Sequence, residues 1–212
     1  MRVRSEEKRR EIVTAAAELF VELGYEHTSM SAISERVGGS KATLYGYFQS
    51  KEDLLRAVLE YDVANEAMLV LHAFPVEEDL REGLTQLGIQ YLTGRLSALP
   101  IANMRTLASL PAESTMGKEF YETVLRPAWE LLAEHFAGLM KAGRLRSADP
   151  WVAAMHWKGL NEGELLETRV LGAASRPDPK VVKKLATLAA DAFLRIYEPE
   201  PANVMSNPDI SR

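Results

Sequence analysis

The chain has 212 residues, 47% of them hydrophobic and 26% charged, values that suit a folded globular protein and exclude wholesale disorder. With no cysteine, it can form no disulfide, thiolate nucleophile or cysteine zinc site. A net charge of −5 excludes a generally basic nucleic-acid coat, yet Arg2, Arg4, Lys8, Arg9 and Arg10 form a local basic cluster able to bind phosphate.

No run free of Asp, Glu, Lys and Arg approaches the roughly 18 residues of a membrane-spanning helix, so no membrane partner is expected. The first ten residues lack the apolar stretch of a secretory signal, and a cytoplasmic location is the expectation. In chain order, Ile12, Ala16, Leu19, Phe20 and Leu23 recur at spacings of three and four, the face of a first helix that Gly24 can stop. Thr28 or Ser29 can cap a short second helix with Met30, Ile33 and Val37 inward. Gly38 and Gly39 interrupt it, and Ser40 can cap a third helix over 41–48. Ser50 followed by Asp53 resembles a capping box and opens a longer amphipathic helix through Leu54, Leu55, Val58 and Leu59. Further helices are predicted at about 77–96, 98–109, 114–125, 127–142, 149–172 and 178–197. Two of them open with Asp-Pro, at Asp149-Pro150 and Asp178-Pro179, and Pro127 predicts a break or kink near Arg126. The proline-rich tail after Glu198 is expected to be mobile. No alternating strand pattern occurs, so the expected fold class is all-α, with about nine to ten helices.

Two short helices joined by a glycine-containing turn, propped by a preceding helix, are the sequence form of a helix-turn-helix. The second helix must be slim enough for the major groove, with a few large residues inward and small or donor-bearing residues outward. Residues 41–48 fit this: Leu44 and Phe48 anchor, Ala42 and Gly46 are small, and Lys41, Thr43, Tyr45 and Tyr47 carry donors. A helical hairpin that merely packs on the surface shares much of the pattern.

Four stretches narrow the choice: REIVTAAAELFVELGY at 10–25, TSMSAI at 28–33, GGSKATLYGYF at 38–48 and SKEDL at 50–54. In this order and spacing they closely resemble the DNA-binding domain of the TetR family of one-component transcriptional regulators, over residues 8–60. The resemblance implies a homodimer that binds a double-stranded DNA operator and answers to a small-molecule effector, usually as a repressor. It implies phosphate contacts from Thr28 and Ser29. Ser40, Lys41, Ala42 and Thr43 would lie against base edges and flanking backbone, with Tyr45, Tyr47 and Lys51 on phosphates. Gly39 departs from a valine common under the turn, and Gly46 leaves bare an outer face that often carries larger side chains. The basic N-terminal arm either reaches an adjacent groove or frays into solvent.

The domain organisation expected is a helix-turn-helix domain over 1–50, a helical effector-binding and dimerisation domain over 51–198, and a tail over 199–212. Gly143-Arg144-Leu145 and residues 149–172 bear a weaker likeness to regulatory domains of the AefR-like branch. Val152, Met155, Gly159, Gly163, Leu166 and Val170 form one stripe; Val182, Leu185, Ala189 and Phe193, with Val181, Leu188 and Ile196, belong to the last helix. Both helices suit a four-helix dimer interface, or equally the subunit's own core. Met68, His72, Met104, Leu107, Phe120, Trp129, Phe136 and Trp157 suit an apolar effector pocket, or plain core. Asn161 and Glu164 are either orienting groups of that site or solvated. The histidines stand outside metal-binding spacings, and no nucleophile elbow, P-loop or GxGxxG occurs, so neither enzyme, metal nor cofactor is expected. A helical ligand-binding or interaction module without DNA function is the alternative. Lys41, Tyr45, Tyr47 and Lys51 argue against it, because packing does not demand them.

Overall fold

Capping chemistry sets where the helices begin. Ser5, Ser29, Ser40, Asp79, Asp149 and Asp178 each accept a hydrogen bond from a backbone N–H two or three residues on, satisfying donors a helix start leaves open. Ser50 does the same for Asp53, at 3.0 Å. The computed structural model describes residues 5–199 except 73–78, with side chains for all of these but 62–72. The side chains of Met68 and His72, together with Arg2, Arg4 and the tail from 200 onward, therefore lie outside what is described.

The resulting elements are α1 (Glu6–Leu23), α2 (Met30–Arg36), α3 (Lys41–Tyr47), α4 (Lys51–His72), α5 (Leu80–Arg95), α6 (Ala98–Ser109), α7 (Met116–Phe120), α8 (Arg126–Lys141), α9 (Pro150–Glu162), α10 (Leu165–Val170) and α11 (Pro179–Tyr197). Among the described residues there is no strand. Two irregularities shape the second half. Pro127 leaves the helix intact but is preceded by a π-helical turn, Tyr121–Leu125. The widened turn accommodates a proline ring that would otherwise press on the carbonyl of Thr123. The helix expected over 149–172 is split at Gly163, whose φ of 44° and ψ of −131° suit only glycine, so the chain turns between α9 and α10.

The buried side chains form two cores. The first joins Ile12, Ala16 and Phe20 of α1 to Ile33, Leu44, Phe48 and the start of α4 at Leu54, Leu55 and Val58. The second is built from α5, α8, α9 and α11, with Leu84, Leu87, Trp129, Phe136, Trp157 and Phe193 at its centre. The first core is not closed by its own helices. Met116 of α7 is buried in it, and Leu107 and Phe120 pack against it from the same direction. Burying a Met or Phe side chain contributes on the order of 1.5–3 kcal/mol, so this plug fastens the two halves together.

Glycine enforces a close approach at one other place. A Cβ on Gly88 of α5 would stand 2.4 Å from Asn161 Oδ1 and 3.0 Å from Ala186 Cβ, where α5, α9 and α11 meet. Gly159 of α9, by contrast, has nothing within 4 Å in its own subunit and is exposed. Gly88→Ala should therefore overpack the junction and destabilise by about 1–3 kcal/mol, while Gly138→Ala, on the exposed side of α8 with nothing within 4 Å, leaves stability level or slightly higher. Thermal melts of the two variants check this, with a drop of several degrees expected for the first alone.

Candidate nucleic-acid interface and effector-domain cluster

The turn between α1 and α2 fixes the interface. Ser29 caps α2 and stays exposed, accepting from Ala32 N at 3.1 Å. Thr28, expected on a phosphate, points inward instead. It is 2% exposed, and its hydroxyl lies 2.8 Å from the Gly24 carbonyl and 3.2 Å from that of Leu19. Ser29 already meets the need for a cap, so Thr28 is free to close the turn from beneath. Lys51 is also occupied. Its Nζ donates to the carbonyls of Tyr25 at 2.8 Å and Glu26 at 3.4 Å, and sits 4.2 Å from the Tyr25 ring centroid. Lys51 therefore ties the start of α4 to the α1–α2 turn, with its third N–H left over.

The turn into α3 uses Gly38, at a φ of 65°, and Gly39, whose carbonyl accepts from the Ser34 hydroxyl at 2.8 Å. This hydrogen bond, together with the bond from Gly39 N to Ser34 O, holds the turn without the valine common there. Ser40 caps α3 through Thr43 N, and its hydroxyl also meets the Thr43 hydroxyl at 2.9 Å. Leu44 and Phe48 are buried, so α3 presents its opposite face: Lys41, Ala42, Thr43 and Tyr45 are all exposed. Lys41 and Tyr45 make no hydrogen bond to another described side chain. Tyr47 is half-buried, and its hydroxyl accepts the backbone N–H of Ser5 at 3.1 Å. Arg9 lies over the Phe48 ring at 5.3 Å. Together these contacts bring the start of α1, and so the exit of the basic arm, beside the end of α3.

The effector candidates do not converge. Leu107 and Phe120 pack on the first core, whereas Trp129, Phe136 and Trp157 are buried in the second, and half-buried Met104 belongs to neither. The stripe on α11 is likewise divided. Val182 and Phe193 are buried in the subunit's own core and Ala189 is buried beside them, leaving Leu185 half-buried next to an outward face of Val181, Leu188 and Ile196. On α9, Val152, Gly159 and Leu160 are exposed and Met155 is half-buried; Leu166 and Val170 fall on α10, beyond the break at Gly163.

A polar group stands inside the second core. Glu162 accepts from the Tyr91 hydroxyl and, at 2.5 Å, from Lys158 Nζ, with Arg95 Nε 3.7 Å away. The Arg95 and Glu162 side chains are each nine-tenths buried. Trp129 and Trp157 flank Tyr91, with ring centroids 5.6 and 5.3 Å from it. Arg95 Nε and Trp157 Nε1 are buried without a hydrogen-bond partner. Asn161 is buried too, its amide donating to the Trp157 carbonyl, while Glu164 is exposed.

Residues 12–58 match the family of bacterial regulatory proteins typified by tetR, and residues 82–199 match the AefR-like transcriptional repressor C-terminal domain. The chain belongs to the TetR family.

Its relatives are DNA-binding transcriptional regulators, not enzymes. The HTH-type transcriptional activator FasR of Mycolicibacterium smegmatis is 39% identical over 83 residues, 39% of this chain and 38% of that relative. The chain thus aligns with little more than a third of such curated relatives. A TetR-family regulator of Mesorhizobium loti MAFF303099 is similar at a TM-score of 0.82 and 25% identity, over 93% of this chain and all of that one. The flavonoid-responsive regulator FrrA is similar at 0.68 and 30% identity, over the same shares. No described helix is long and apolar enough to cross a membrane.

Within this TetR-family domain the α1–α2 turn carries a titratable anchor. Burial, with the Glu52 carboxylate hydrogen-bonded at 3.3 Å, pushes the Tyr25 phenol far above the usual tyrosine range. A folded-state value raised in this way gives stability that is complete below the unfolded tyrosine value, about pH 10, and that is lost as the pH rises beyond it. Tyr25→Phe should therefore flatten part of the alkaline loss of stability. Urea titrations at pH 9 and 11 measure it, and an unchanged difference between the two would contradict the assignment.

Proposed function

We propose that the protein is a homodimeric repressor that places two copies of α3 in successive major-groove faces of a palindromic operator and leaves when a small organic effector binds. The observation that carries this reading is the exposed face of α3. Lys41, Ala42, Thr43 and Tyr45 are arrayed there around a capped helix start, on a scaffold where everything else is anchored inward. Lys41 would read base edges. Ser29, Tyr45, Tyr47 and the remaining N–H of Lys51 would hold phosphates, which fix register without reading sequence. Ser40 and Thr43 border the groove but engage each other, so they position the helix start.

The outward face of α11, flanked by Lys184 and Arg195, and the exposed part of α9 supply an apolar surface suited to a two-fold four-helix interface. The AefR-like match over 82–199 supports repression; the activator FasR is similar over a much shorter stretch. Similarity to a flavonoid-responsive regulator supports an organic small-molecule effector. An effector that prefers the non-binding spacing of the recognition helices by roughly 1–3 kcal/mol would weaken operator affinity about 5- to 150-fold.

Footprinting and salt titrations test the reading. Protection should cover two half-sites about 34–36 Å apart. Lys41→Ala should weaken operator more than random duplex, while Tyr45→Phe weakens both to a similar extent, since each phosphate contact acts on any sequence. Equal losses for Lys41→Ala on both DNAs would remove its role as a base reader, and protection of one asymmetric half-site by a monomer would overturn the proposal.

A further inference from the structure

The cluster on Glu162 is poorly explained by stability. Burying a carboxylate and a guanidinium costs several kcal/mol per ion, and an apolar replacement of such a pair is often no less stable. Here two cations, Arg95 and Lys158, flank one carboxylate, the Tyr91 hydroxyl adds a further donor, and the Trp157 ring, its N–H buried, lies against Tyr91. Among the described residues Glu162 accepts from Tyr91 and Lys158, while the donors Arg95 Nε and Trp157 Nε1 lie buried without a partner, as does the acceptor Asn161 Oδ1. Buried donors are normally satisfied, and an orphan costs about 1–3 kcal/mol. An anionic oxygen group brought in from outside would fit these donors and balance the second cation.

The walls add the rest. Tyr91, Trp129 and Trp157 form an aromatic trio, and Lys158 lies 5.8 Å from the Trp129 ring centroid. The Lys158 side chain is 28% exposed, so the cluster reaches solvent along it. On α9 Lys158 points roughly 100–160° away from Val152, Gly159 and Leu160, the exposed residues assigned to the dimer.

We propose that Arg95, Lys158 and the Trp157 N–H form the recognition point for an effector that is an aromatic acid, a flat ring system carrying one anionic oxygen group. This rests on the effector-responsive reading above and names the chemistry at its site. Glu162 holds the donors in place in the empty protein and yields part of them to the incoming anion. The aromatic body lies against Tyr91, Trp129 and Trp157.

The test is calorimetric titration of the full chain with 2-naphthoate, its uncharged methyl ester and decanoate, alongside tryptophan fluorescence. Naphthoate should bind and quench, with the ester at least about tenfold weaker, the scale of one lost charge-assisted hydrogen bond, and decanoate weaker by about the same factor because it keeps the carboxylate but not the ring contacts with Tyr91, Trp129 and Trp157. Arg95→Gln should weaken naphthoate about tenfold or more. Because Arg95 is buried, the partly exposed Lys158→Gln provides a second variant, in which Glu162 keeps the Tyr91 hydroxyl as a donor and naphthoate should bind several-fold more weakly. Glu162→Gln should bind naphthoate more tightly, a gain that a purely structural ion pair would not give. An ester or decanoate that binds as well as naphthoate, or naphthoate affinity unchanged in both cation variants, would overturn the proposal. Binding of an operator selected from random duplexes, measured on the same protein without any probe, separates the two conclusions. A protein that binds operator and ignores naphthoate refutes the aromatic-acid site and leaves the regulator reading standing.

Discussion

The DNA-binding half of this protein does not close its own core. Helices α1 to α3 and the first turns of α4 bury a consistent set of side chains, but Met116 is buried among them and Leu107 and Phe120 press on them from the second half. The geometry of α3 therefore depends on where α6 and α7 stand. Arg56 of α4 and Glu119 of α7, 3.0 Å apart, bridge the same seam at the surface, though an exposed pair adds little beyond alignment. Beneath them a groove of about 360 Å³ runs between Leu59, Met116, Phe120 and Val124, so the seam is not packed solid along its length. A joint with one firm plug and an open flank can tilt.

That joint gives the second half two mechanical routes to α3. One is α4, shared by both halves. The other is the run from α7 through the π-helical turn into α8, which carries Met116 at one end and Trp129 and Phe136 in the second core at the other. Packed cores respond to a bound molecule by shifting between discrete arrangements rather than deforming smoothly. A displacement of Trp129 beside the Glu162 cluster would be passed along a continuous helical run to the plug beneath α1. The widened turn at Tyr121–Leu125 lies between the two, where helical hydrogen bonding is most readily rearranged.

The first fifty residues were legible because their signals are local. Ser29, Ser40, Gly24 and Gly38 each act within a few residues, and a cap or a positive-φ turn needs no distant partner to be recognised. Thr28 misled for the same reason: two adjacent hydroxyl residues are equal as caps, and only the carbonyls of Leu19 and Gly24 decide which turns inward. On α11, Val, Ala and Leu run around much of the helix, so periodicity finds two apolar faces and the packing on α5 selects between them. Gly163 sits in an apolar stripe and reads as a packing residue until its backbone angles show a break. The Glu162 cluster was hardest to see. Arg95, Lys158 and Glu162 are charges that a sequence assigns to solvent; Lys158 and Glu162 pair along α9, and Arg95 joins them across the α5–α9 contact, which Gly88 keeps close.

Native-state amide hydrogen exchange of Met116→Ala probes the shared core most directly. Removing a buried methionine side chain costs about 2–5 kcal/mol, and exchange reports where that loss is felt. If the second half completes the DNA-binding core, amides of α1 between Ile12 and Phe20 and of α3 will exchange faster, while the centre of α11 stays close to wild type. Unchanged protection across α1 and α3, with the loss confined to α7 and α8, would contradict the account.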